Sequence, residues 1–189
     1  ALYEPIDEFH PFNNKNFYGA TKIASEAMLR SYHYRYNLNF VGLRYMNVYG
    51  TRQDYKGAYI AVIMKMLDKI DAKKDIQIFG SGKESFDFIS VKDCALANYK
   101  ALISNKNNNF YNVGTGKKTS LNEIAKLLIK LTSSKVKIVY KKNSSATLVK
   151  NRIGSPTMAK KEINFNSKIS LKKGLQELIK WRADHKANF

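Results

Sequence analysis

Cysteine is nearly absent: Cys94 is the only one in 189 residues, which excludes an internal disulfide and a cysteine-based metal site. It falls in VKDCALANYKAL, on the inner side of an expected helix, and reads as an inert core thiol. No apolar run reaches membrane-spanning length, and no signal peptide or lipidation motif occurs. The expected setting is therefore soluble and cytoplasmic, with no membrane partner. His10, His33 and His185 show no metal-ligand spacing, so no metal is expected. Acidic residues are scarce, 15 against 33 basic ones, for a net charge of +18. Such a charge suits a polyanion surface. The excess, however, is mostly Lys, scattered as singles and pairs, whereas Arg is the residue that reads bases. No nucleic-acid-binding signature is present either. The expected partner is a nucleotide or phosphate ligand and no nucleic acid.

A glycine-rich dinucleotide loop is also missing. Gly80 and Gly82, and again Gly114 and Gly116, supply the first two glycines of Gly-x-Gly-x-x-Gly, but Ser85 and Thr119 stand at the third position. What is present is an alternation of strands and helices with no internal repeat. YGATKIASEAMLRSYHYRY has helical periodicity through Ala20, Ile23, Ala24, Ala27, Met28 and Tyr32. NFVGLRYMNVYG reads as a buried strand, GAYIAVIMKMLDKI as a helix, and DIQIFGSG and FDFISV as short strands. A helix over VKDCALANYKALIS and a strand ending in a glycine turn at FYNVGTG follow. TSLNEIAKLLIKL opens with a capping box, Ser120 with Glu123. VKIVYKK is a strand, SPTMAKKEI a short helix with Pro156 near its start, and SLKKGLQELIKW the last helix. The order predicts an α/β architecture with some parallel pairing.

Tyr18 and Lys22 stand four positions apart near the start of the first helix, one turn apart on one face. With 12 Tyr and abundant Lys, that spacing alone is uninformative; its neighbours decide. EFHPFNNKNFYGATKIASE, LRYMNVYGTRQD, GAYIAVIMKML, IQIFGSGKESFDFISVKDCALA, FYNVGTGKKTSLNEIAKLL and NRIGSPTMAKKEINFNSKISLKKGLQELIKW, in this order, resemble segments of the NAD-dependent epimerase/dehydratase group of the extended short-chain dehydrogenase/reductase family. The resemblance implies a C-terminal part of a Rossmann-type doubly wound sheet plus a small α/β substrate-binding lobe. Residues 1–52 would end the NAD-binding Rossmann domain, 53–91 belong to the substrate lobe, 92–116 return to the Rossmann sheet, and 117–189 form substrate lobe and C-terminal helices.

It further implies NAD as cofactor, a nucleotide-diphosphate sugar as substrate and a homodimer through two helices, one beginning near Tyr18. The reaction implied is epimerisation, in carbohydrate metabolism such as cell-surface polysaccharide synthesis. Inverting an unactivated carbinol needs transient oxidation, so a base must take the hydroxyl proton while hydride leaves. Tyr18 would be that base, and Lys22 would stabilise its phenolate and hold the nicotinamide ribose. Tyr45 would border the nicotinamide. Asn47 and Arg152 would bind the diphosphate, with Arg52 nearby. Ala61, Val62 and Phe79 would line the nucleotide, although each would equally serve as core.

Two departures stand out. Phe86 occupies a position where the family usually has a phosphate-pairing arginine, which leaves Lys83 or Arg52 to replace it. Ser155 replaces the usual Asp after Arg-x-Gly, and the following segment enters the helix directly. The resemblance leaves two rival readings open: a 4,6-dehydratase, decarboxylase or reductase on the same scaffold, and a basic binding module without chemistry. The missing glycine loop leads to the expectation of a chain lacking the N-terminal half and inactive alone.

Overall fold

The computed structural model describes residues 1–54, 61–142 and 151–185. Helix α1 (Phe17–Tyr36) begins where the Asn16 side chain accepts the Gly19 N–H at 2.8 Å and ends at Asn37 in the left-handed conformation. Strand β1 (Val41–Tyr45) runs almost directly into β2 (Asn47–Tyr49), and helix α2 (Val62–Asp71) follows. The first residues of the helix expected from Gly57 lie outside the described residues. Next come β3 (Ile76–Phe79), β4 (Ser85–Phe86), β5 (Phe88–Ser90), α3 (Val91–Ile103), β6 (Asn109–Val113) and β7 (Thr119–Ser120). Then α4 (Leu121–Leu131) starts at the expected capping box, before β8 (Ile138–Lys141), β9 (Asn151–Arg152), α5 (Thr157–Glu162) and α6 (Leu171–His185).

Pairing is mostly parallel. β1 lies beside β6 with Val41 opposite Asn109, β2 beside β5 with Asn47 opposite Phe88, and β3 beside β8 with Ile76 opposite Ile138. β4 has β9 parallel on one side and β7 antiparallel on the other. Among the described residues these pairings make four groups of neighbouring strands, β1–β6, β2–β5, β3–β8 and β7–β4–β9. The change of partner between β1 and β2 lies at Met46. Its N–H still bonds the Val113 carbonyl at 3.0 Å, whereas the next N–H, of Asn47, goes to the Asp87 carbonyl at 2.8 Å. The strand changes partner there, and the Met46 side chain fills the space over Gly114 and Gly154, where a Cβ would come within 2.7 Å of it.

Two apolar clusters hold these elements. One gathers Ile63, Met64 and Leu67 of α2, Ile76 and Ile78 of β3, Ile124 and Leu128 of α4, and Leu175 and Leu178 of α6. The other joins Ile89, Cys94, Ala97, Tyr111 and Val113 to Ala159, Ile163 and Phe165 around α5. Arg182, nearly buried, clamps α6 to α2 through Asp71 at 2.9 Å and through Asp68. Helix α1 has no fully buried residue. Its half-buried face is Gly19, Ile23, Glu26, Leu29 and His33, so of the expected apolar stripe only Ile23 turns inward. The inward face carries a charge, Glu26, whose partner Arg44 lies on β1. A hydrophobicity pattern cannot see such a pair.

Candidate active site

The first turns of α1 present Tyr18 and Lys22 to solvent. Tyr18 is 66 % exposed, and the Lys22 ammonium lies 5.3 Å from the centre of its ring. The helix bearing them is pinned to β1. Arg44 donates from Nε and Nη2 to the two Glu26 carboxylate oxygens at 2.7 and 2.6 Å, a bidentate pair with both partners about four-fifths buried. Its Nη1 donates to the Glu8 carbonyl at 2.9 Å. The Glu8 carboxylate accepts the Asn112 N–H of β6 at 2.7 Å, and burial raises it above the ordinary carboxylate range. Segment 6–8, α1, β1 and β6 are thereby tied into one unit below the Tyr18–Lys22 pair.

The other expected site residues divide into groups. Arg44 points to α1, so Tyr45, next along the strand, points to the opposite face. There its hydroxyl accepts from Asn98 Nδ2 of α3 at 2.7 Å, and burial raises the phenol. The structure does not bring Tyr45 to Tyr18 and Lys22. Asn47 opens β2 half-buried, and its Oδ1 is buried without a partner. Arg152 lies exposed in β9, opposite Phe86. The Phe86 ring meets Phe88 edge-on at 6.2 Å and packs against the first cluster, which explains an aromatic at that place. Phe79 ends β3 opposite Lys141 and is 53 % exposed. Ala61 precedes α2 without a side-chain capping bond, and Val62 packs on the first cluster. Arg52 is exposed, with φ 65°. Ser155 donates its N–H to the Ile6 carbonyl at 2.7 Å, and its hydroxyl lies 3.0 Å from that of Thr157.

Sequence reasoning passed over Asp87, which is 0 % exposed. Its carboxylate accepts the Thr115 N–H at 2.9 Å, the Thr115 hydroxyl at 2.6 Å and the Gly116 N–H at 2.9 Å. Its signal was a lone acid between Phe86 and Phe88. Asp93, also buried, accepts the N–H groups of Lys168 and Ile169 at 2.9 and 3.1 Å. Among the described residues no group of His, Cys, Asp and Glu could hold a metal ion, and no helix is long and apolar enough to cross a membrane.

The NAD dependent epimerase/dehydratase family profile matches residues 2–114. A Methanocaldococcus jannaschii protein, provisionally named a UDP-glucose 4-epimerase, is 35 % identical over 179 residues, 95 % of this chain and 57 % of that protein. The crystal structure of UDP-glucose 4-epimerase with UDP-glucose from Thermotoga maritima aligns with a TM-score of 0.91 and 30 % identity, over 96 % of this chain and 58 % of that one. The crystal structure of the Thermus thermophilus UDP-glucose 4-epimerase complex with NAD aligns with a TM-score of 0.84 and 25 % identity, over 95 % of this chain and 58 % of that one. These matches replace the expectation of a C-terminal part defined by a lacking glycine-rich half. The likeness runs along nearly the whole of this chain, so the Rossmann-type α/β arrangement with its small lobe applies to all of it. In length, the chain spans 57 % of the curated relative. With the matched profile covering more than half of its residues, the chain belongs to the NAD dependent epimerase/dehydratase family.

Proposed function

We propose that the protein carrying this chain is an NAD-dependent nucleotide-sugar 4-epimerase acting on a UDP-sugar. The observation that carries the reading is the exposed Tyr18 phenol with the Lys22 ammonium beside its ring, on a helix that the Arg44–Glu26 pair holds fixed. Relatives named as UDP-sugar 4-epimerases support the substrate class. A solvent-facing phenol and ammonium suit the hydroxyl groups of a nicotinamide ribose, so the residues present fit the cofactor. Bound NAD supplies the hydride acceptor that an unactivated carbinol requires. Tyr18 takes the proton of the sugar hydroxyl and later returns it; Lys22 stabilises the phenolate by its charge and holds the ribose. Asn47, Arg152 and Arg52 hold the diphosphate; the Asn47 Oδ1 has no partner within the protein, so no bond at that atom fixes the amide away from a ligand. Ala61, Val62 and Phe79 line the nucleoside, with the exposed Phe79 ring available to a base. Tyr45 supports the nicotinamide side from behind β1.

Residues 1–52 and 92–116 form the cofactor side in this reading, and 53–91 and 117–189 the substrate side, except that α5 packs with the cofactor side. The exposed α1 stripe, with Met28 58 % and Tyr32 49 % accessible, supports a homodimer. Incubation with NAD and a panel of UDP-sugars, followed by mass analysis, tests the reaction. The expected product has the mass of its substrate and a different retention time. Loss of water or of carbon dioxide would replace the epimerase by a dehydratase or a decarboxylase.

A further inference from the structure

We propose that Asp87 is a positioning residue that sets the spacing between Asn47 and Arg152. The inference rests on the assignment of those two residues to the diphosphate. Asp87 is the single residue between β4 and β5, where the chain passes from pairing with β9 to pairing with β2. Its own N–H donates to the Arg152 carbonyl at 2.9 Å, and its own carbonyl accepts the Asn47 N–H at 2.8 Å. One residue thus holds the backbones of both proposed diphosphate ligands, one on each side.

The side chain fixes that residue in turn. A buried carboxylate is costly to desolvate, and among the described residues no cation pairs with this one. Three donors from Thr115 and Gly116 satisfy it instead, locking the turn after β6 onto the junction. The fit is close: a Cβ on Gly114 would come within 2.4 Å of Asp87 Oδ2. An apolar residue of similar size would fill the space and leave the Thr115 and Gly116 N–H groups unpaired. The carboxylate therefore braces the junction against the turn after β6, and the junction's backbone in turn holds the two ligand-bearing strands.

The consequence is a split between two ligands. Asp87→Asn places an amide N–H₂ where N–H groups already point, so the turn loosens and the spacing of Asn47 and Arg152 slackens. Calorimetric titration with uridine diphosphate and with uridine reads this directly. Asp87→Asn is expected to weaken uridine diphosphate about tenfold while uridine changes less than about twofold. Thr115→Val should weaken uridine diphosphate in the same direction and Thr115→Ser should restore it. Asp87→Asn combined with Arg152→Met should cost less than the product of the two single losses, because one variant acts through the other's residue. If Asp87→Asn does not fold, the Thr115 pair carries the same comparison. Equal losses for both ligands, independent losses in the double variant, or wild-type affinity in folded Asp87→Asn and in Thr115→Val would overturn the positioning role alone. Wild-type affinity in Arg152→Met would overturn the diphosphate assignment, and the inference with it.

Discussion

Burial pushes the Cys94 thiol up to about 12, and the Tyr111 phenol likewise to about 12, where the hydrogen bond donated to Glu162 at 2.8 Å adds to the effect. Both groups hold their protons more tightly folded than unfolded. Their contribution to stability is whole below the ordinary values of 9.0 and 10.0, and it is lost as pH rises from there toward about 12. Urea midpoints at pH 8 and pH 10.5 check this: the wild type should lose more stability between the two than Tyr111→Phe does, and equal losses would contradict it. The Cys94 environment was legible because a helical period places that residue inward. The Tyr18–Lys22 pair was legible because its geometry is contained in one helical turn. Asp87 was not, since its role is made by Thr115 and Gly116, which lie 28 and 29 residues away in sequence.

The same contrast holds for whole elements. The start of α4 could be read directly, and the structure shows both reciprocal bonds: Ser120 Oγ accepts the Glu123 N–H at 3.2 Å, and Glu123 accepts the Ser120 N–H at 2.7 Å. The Ser120 hydroxyl, donating to the Glu123 carboxylate at 2.6 Å, and then the Ser120 N–H hold that carboxyl below its ordinary value. Ser120→Ala leaves one helix-terminal N–H without its partner and should cost about 1 kcal/mol, measured as a lower urea midpoint at unchanged slope. An unchanged midpoint would mean that water replaces the cap at no cost. The facing of α1 could not be read, because its inward side carries Glu26 and His33 while Ala20, Ala24 and Ala27 stay accessible. An ion pair with a strand 18 residues away sets that orientation.

For the molecule as a whole, the order of strands and helices was legible from periodicity and turn residues. The change of strand partner at Met46 was not, because the Asp87 carbonyl that takes the Asn47 N–H comes from a distant segment. Two apolar clusters hold the elements, and the candidate residues sit at their margins, with Tyr18 and Lys22 at one end of α1 and Asn47 and Arg152 flanking Asp87. A phenol used only as a base contributes to the chemical step and little to binding. Turnover of a UDP-sugar in the presence of NAD, measured for the wild type and Tyr18→Phe, separates those two contributions. Tyr18→Phe is expected to lower kcat by about 10²–10⁴-fold with KM changed less than about threefold; turnover by that variant at the wild-type rate would mean that Tyr18 is not the base.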